Sequence, residues 1–186
     1  GVLLKMGGYG ILRIALPILP REANDFRVVL AIIAAVSVIY GAVLTLQQRD
    51  LKRLVAYSSV SHMGFVLLGV STMGAIGLSG AALQMFTHGT ITGLLFIVVG
   101  LMYDRTHTRQ ISDLGGLLHQ MPLLSVVAIV AGFAGLGLPA LSGFVAEFAV
   151  FAGGLAAHPT ATIISVFGVV LAAGYILWAV QRVFTG

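Results

Sequence analysis

GFAGLGLPALSGFVAEFAVFAGG, residues 132–154, places an interior proline, Pro139, and a lone carboxylate, Glu147, inside one strongly apolar stretch. As a single straight helix, the apolar run 122–153 would extend roughly 48 Å, well beyond a hydrocarbon core of about 30 Å. Pro139 removes a backbone donor and clashes one turn back, and Gly132, Gly135, Gly137 and Gly143 lower the resistance to unwinding. The reading is a broken helix, a feature that in transporters marks the ion site.

Working outward, six apolar segments fall at about 1–19, 28–47, 54–72, 77–102, 122–153 and 160–183. Hydrophobic residues make up 59% and charged residues 9%, with mean hydropathy +1.06. A soluble domain carries about 25% charged residues. Backbone in hydrocarbon must satisfy itself, which selects helices for runs of this length. The fold class is therefore all-α, a polytopic transmembrane helical bundle. Glycine, 24 of 186 residues, suits helices packed through small side chains.

The composition also excludes chemistry. Without cysteine there is no disulfide framework, thiolate metal site or iron–sulfur cluster. No histidine pair has close ligand spacing, so no metal or cofactor site is expected in this chain. The ten Lys and Arg residues lie in short loops rather than on a basic face, which argues against a nucleic-acid partner. Arg49, Lys52, Arg53, Arg105, Arg109 and Arg182 fall on one side. The other carries Arg21 and Arg27, offset by Glu22 and Asp25. The positive-inside rule turns the QQRDLKR and YDRTHTR loops toward the cytoplasm or its equivalent. The opening GVLLK lacks Met and its apolar run is shorter than a span, so a fragment with a cut first helix is expected.

Lys5 and Glu147 are the ionisable residues to weigh first, because an intramembrane charge costs roughly 2.5–3.5 kcal/mol on insertion scales. Lys5 is either a buried proton carrier or a group snorkelling from a helix end. Arg13, at the far end of its run, reads as an interfacial anchor. In AYSSVSHMGF, Ser58 and Ser59 share a helix face with His62, either as packing partners or around a relay histidine. Gln84, His88 and Thr92 form a second polar stripe at i, i+4 and i+8. Two such stripes on successive helices point to a hydrated seam. Glu147 must find a cation across the bundle or take up a proton. His107, His119 and His158 read as loop surface groups or caps.

LLKMGGYG (3–10), RDLKRLVAYSSVSHMGFVLLG (49–69), GAALQMFTHG (80–89), YDRTHTR (103–109) and GLPALSGFVAEF (137–148) together resemble the subunit M family of respiratory complex I. That family includes the fourth mitochondrially encoded chain of animals and its cyanobacterial and plastid counterparts. The resemblance implies an antiporter-like inverted-repeat fold of fourteen helices, with one broken helix in each five-helix repeat. Residues 1–27 would then end the first repeat and 28–186 would form the second. It implies a proton relay of Lys5, His62, His88 and Glu147, which Ser58, Ser59, Gln84, Thr92 and Pro139, singled out above by their positions, would support.

The family's glutamate–lysine pair, on the fifth and seventh helices, has no counterpart here, so these residues alone should not pump. The implied parent is an NADH- or ferredoxin-driven quinone oxidoreductase. Its flavin, iron–sulfur clusters and quinone would lie on partner subunits. Neighbouring antiporter-like subunits, lipids, protons and internal water would be the contacts of this chain. The bacterial inner membrane is the expected location, with thylakoid and mitochondrial inner membranes as alternatives. A multisubunit sodium/proton antiporter or a membrane-bound hydrogenase is the alternative parent, and a helix-pinning scaffold the third reading.

Overall fold

A computed structural model describes residues 2–186. The chain begins with α1, Leu3–Gly10, which runs through a π-helical stretch, Ile11–Ala15, into α2, Leu16–Ile18. The interval between the first two apolar segments is itself partly helical: α3, Pro20–Asp25, starts on a proline and leads directly into α4, Arg27–Leu46. Then follow α5, Leu51–Ser71; α6, Ala75–Thr106; the short α7, Leu117–Gln120; α8, Pro122–Gly135; α9, Ser142–Ala157; and α10, Pro159–Val180. Prolines open α3, α8 and α10, where the missing N–H costs no helical bond. By length and composition, α4, α5, α6 and the run Pro159–Thr185 can each cross a membrane, whereas α8 and α9 are individually shorter.

Residues 136–141 separate α8 from α9, as the proline and glycines require. Gly137 and Ala140 both have positive φ, 76° and 77°. The freed backbone is partly recaptured by tight turns, Leu138 N–H to the Phe133 carbonyl at 3.3 Å and Leu141 N–H to the Leu138 carbonyl at 3.0 Å.

Helix α5 is the hub. Its most apolar window is 72% buried, against 39% for α4 and 28% for the α10 run. The outer helices instead present Ile32, Val36, Phe167 and Val170, as lipid-facing surfaces do. In lipid, helices associate by close packing rather than by escape from water, and glycines set the approach. A Cβ on Gly64 of α5 would lie 2.9 Å from the Val38 nitrogen and the Ala34 oxygen of α4. One on Gly80 of α6 would lie 2.7 Å from the Val150 nitrogen of α9. Backbone on the far side cannot yield as a side chain would. Gly80→Val is therefore expected to destabilise the bundle by about 1–3 kcal/mol, read as a lower Tm of the purified full-length protein. An unchanged Tm would disprove this contact.

The loop charges sit where the topology argument puts them relative to one another. Asp50 and Gln110 form an antiparallel bridge, with Leu51 N–H bonded to the Arg109 carbonyl (2.9 Å) and Ile111 N–H to the Arg49 carbonyl (2.8 Å). Asp50 also caps α5 by accepting from Arg53 N–H at 2.9 Å and lies 3.7 Å from Arg109. The QQRDLKR and YDRTHTR loops thus share one end of the bundle. At the other end, His158 on the α9–α10 turn lies 3.0 Å from the Ser71 carbonyl of α5.

Candidate functional site

The polar residues singled out from sequence come from helices far apart in the chain, and the fold brings the main ones together. Lys5 of α1, His62 of α5, His88 of α6 and Glu147 of α9 are all buried, with exposures of 7%, 3%, 2% and 4%. The Lys5 side chain is thus enclosed by protein. Its Nζ donates to the Thr92 hydroxyl at 3.4 Å, and that hydroxyl donates to the His88 carbonyl one turn back at 2.7 Å. The His88 ring lies 4.5 Å, centroid to centroid, from the His62 ring and tilted by 35°. His62 Nδ1 lies 3.5 Å from Glu147 Oε1. A buried line thus runs from Lys5 through Thr92, His88 and His62 to Glu147.

The line exists because each helix contributes a polar face to the same interior. On α6 the i, i+4, i+8 spacing stacks Gln84, His88 and Thr92 along one side, and all three are buried. On α5 the same interior receives His62, whose ring also meets Phe65 edge-on at 5.8 Å. Ser58 and Ser59 are buried beside it, but their hydroxyls both donate back to the Val55 carbonyl, at 2.8 and 3.3 Å. His62 takes its partners from other helices. Ser61, on the α4 side, donates to the Val38 carbonyl at 2.9 Å and ties the two helices together.

Pro139 acts at a distance from this line. By ending α8 it lets α9 begin at Ser142, so that Glu147 stands inside the bundle against the unwound segment. The Glu147 carboxylate packs directly over Gly137, occupying the place a Cβ would take. Of the groups outside the line, Arg13, His107 and His119 are exposed and His158 is half-buried. His107 also ends α6 in a left-handed conformation with φ 54°, the cap expected of a polar loop residue.

Two participants were not singled out by sequence reasoning. Tyr175 of α10 is fully buried, and its hydroxyl lies 3.4 Å from His62 Nε2. Its signal was a lone phenol within the apolar run VVLAAGYILWAV. Gly137 read as one of several helix-softening glycines; its seat under the carboxylate has no sequence signature. Gln84 Nε2 lies 3.4 Å from His62 Nδ1. Among the described residues, Gln84 Oε1 and both ring nitrogens of His88 are buried without a hydrogen-bond partner, a condition ordinarily relieved by internal water.

By chemical type, imidazole nitrogens can take or give a proton, a carboxylate can accept one, and hydroxyls can bridge. Among the described residues, no group of three or more His, Cys, Asp or Glu side chains is placed to hold a metal ion.

A transmembrane family described as NADH:quinone oxidoreductase/Mrp antiporter matches residues 1–172. Similar curated proteins include the F(420)H(2) dehydrogenase subunit M of Methanosarcina mazei, 44% identical across all of this chain and 38% of that protein. The NADH-quinone oxidoreductase subunit M of Rhodobacter capsulatus is 43% identical across all of this chain and 36% of its own length. Among solved structures, a chain of respiratory complex I from Thermus thermophilus with bound NADH superposes with a TM-score of 0.95 at 34% identity, covering 100% of this chain and 40% of that one. The chain thus spans about two fifths of the length of the relatives it matches.

Proposed function

We propose, for a chain that belongs to the NADH:quinone oxidoreductase/Mrp antiporter transmembrane family, that it carries protons within the membrane arm of a quinone oxidoreductase. The observation behind this reading is the buried Lys5–Thr92–His88–His62–Glu147 line, drawn from four helices. Such a line is costly to build for packing alone, since apolar side chains would fill the same space without desolvating charge.

On this reading residues 1–27 close one helical repeat and 28–186 form the next. Lys5 and Glu147 end the relay, while His88 and His62 carry protons between them. Internal water completes the gaps at the orphaned nitrogens of His88. The reaction of this subunit is vectorial: no bond to an electron carrier is made or broken on it. Flavin, iron–sulfur clusters and quinone belong to partner subunits, and neighbouring membrane subunits receive or deliver the protons. The bacterial inner membrane is the proposed location.

Moving one proton against about 150 mV costs roughly 3.5 kcal/mol. A charge arriving at or leaving a neighbouring buried group can supply an interaction of that size. The test is His88→Ala in the full-length protein of the assembled complex. In membrane vesicles it is expected to lower proton uptake per electron transferred, at an unchanged level of assembly. Normal stoichiometry with normal assembly would sink the relay and leave His88 as packing.

A further inference from the structure

His62 Nδ1 has a single in-plane bonding direction and two neighbours within reach of it, Gln84 Nε2 at 3.4 Å and Glu147 Oε1 at 3.5 Å. These neighbours suit opposite states of the ring. An amide nitrogen can only donate, so it bonds Nδ1 when that atom carries a lone pair. An ionised carboxylate can only accept, so it bonds Nδ1 when that atom carries a proton. The other ring nitrogen faces the Tyr175 hydroxyl at 3.4 Å, which can accept from Nε2–H in either state. His88, 4.5 Å away ring to ring, is the remaining titratable group against His62, and Lys5 stands behind it through Thr92.

Resting on the relay reading, we propose that Gln84 is a positioning residue that caps His62 Nδ1 after its proton has passed to Glu147, and so opposes the proton's return. In the step, the Nδ1–H bond breaks and a bond from the proton to Glu147 Oε1 forms. Imidazolium and carboxylate become neutral imidazole and carboxylic acid, with no change in the pair's net charge. Nε2 keeps its hydrogen on the Tyr175 oxygen. At first the new acid O–H points back at Nδ1.

Onward movement needs the acid to turn away, which would strand a buried lone pair. The Gln84 N–H fills that place. The amide is suited to this role because its Oε1 is buried with no hydrogen-bond partner among the described residues, so its placement is not explained by a bond on its other end. Gln84 is 2% exposed, so its amide is held inside the bundle beside the ring.

The test compares Gln84→Met, which keeps length and apolar packing, and Gln84→Asn, which keeps the amide but withdraws it by one methylene. Both are made in the full-length protein of the assembled complex. The readouts are proton uptake by vesicles and the infrared carboxylic-acid band of Glu147, assigned by its disappearance in Glu147→Gln. An unmade bond to a buried group shifts such an equilibrium by about tenfold. The expected result is a roughly tenfold smaller acid band in both variants, with slowed uptake and normal assembly.

A merely structural Gln84 would leave the band intact in complexes that assemble. An unchanged band in either variant, with Glu147→Gln still losing uptake, overturns the role of Gln84 and leaves the relay standing. Full uptake in Glu147→Gln overturns the relay and this role with it.

Discussion

Glu147→Gln, in the full-length protein of the assembled complex, is expected to abolish proton uptake while the complex still assembles. Glutamine matches the volume of the carboxyl and can still bond through its amide, so the contact over Gly137 and the helix packing persist. What disappears is the capacity to accept a proton and the negative charge 3.5 Å from His62 Nδ1. Without that carboxylate, a proton leaving His62 Nδ1 loses the acceptor that stands beside it. The measurement is proton uptake by vesicles beside the electron-transfer rate and an assembly control. Unchanged stoichiometry would reduce the buried polar line to scaffolding that pins helices. Sodium-dependent exchange without any redox donor would then favour an antiporter role.

Gly137→Ala is expected to have the second-largest effect, through two separate causes. Its φ of 76° lies in the left-handed region, where an L side chain carries strain of about 1–2 kcal/mol. The added Cβ would also collide with Glu147 Oε2. The carboxylate must move, and with it the contact to His62. Both a lower Tm and loss of proton uptake should follow.

Ala140 supplies the internal comparison, because its φ is 77° in the same unwound segment. Ala140→Gly removes strain and adds no atom, so stability should hold or rise by up to about 1 kcal/mol. Pumping should be retained. A Gly137→Ala protein that keeps its Tm and its uptake would show that the carboxylate does not depend on this seat. Equal losses in Gly137→Ala and Ala140→Gly would show that the segment tolerates no change at all.

The membrane-spanning character of the chain was legible because it depends on local chemistry. Runs such as 28–47 and 160–183 are apolar over a bilayer's thickness, and helices result whatever their neighbours are. The break at Pro139 was legible for the same reason, since a proline's missing donor and ring act within one turn. The interval between the first two apolar segments was less so: it lies outside the apolar runs, yet Pro20 opens a short helix there, because proline at a first turn loses no bond.

The site divides along the same boundary. The presence of Lys5, His62, His88 and Glu147 in apolar runs marked them as residues that need partners, and Gln84 and Thr92 followed from helical spacing. The choice of partners was not readable. Ser58 and Ser59 share the face of His62, yet they bond to Val55. Tyr175, 113 residues away in sequence, reaches His62 instead. Periodicity assigns a face to a side chain but cannot say which helix will stand opposite.

By itself, then, the sequence determined that this protein is a helical membrane bundle with a broken helix and a few buried ionisable groups. Each of those features is set by hydrophobicity and backbone geometry within a single segment. Only the tertiary structure decided that Glu147 rests on Gly137 and shares His62 with Gln84 and Tyr175. Those contacts depend on how closely the glycine-lined helices approach and how they rotate against each other, which is a property of all the packed segments together.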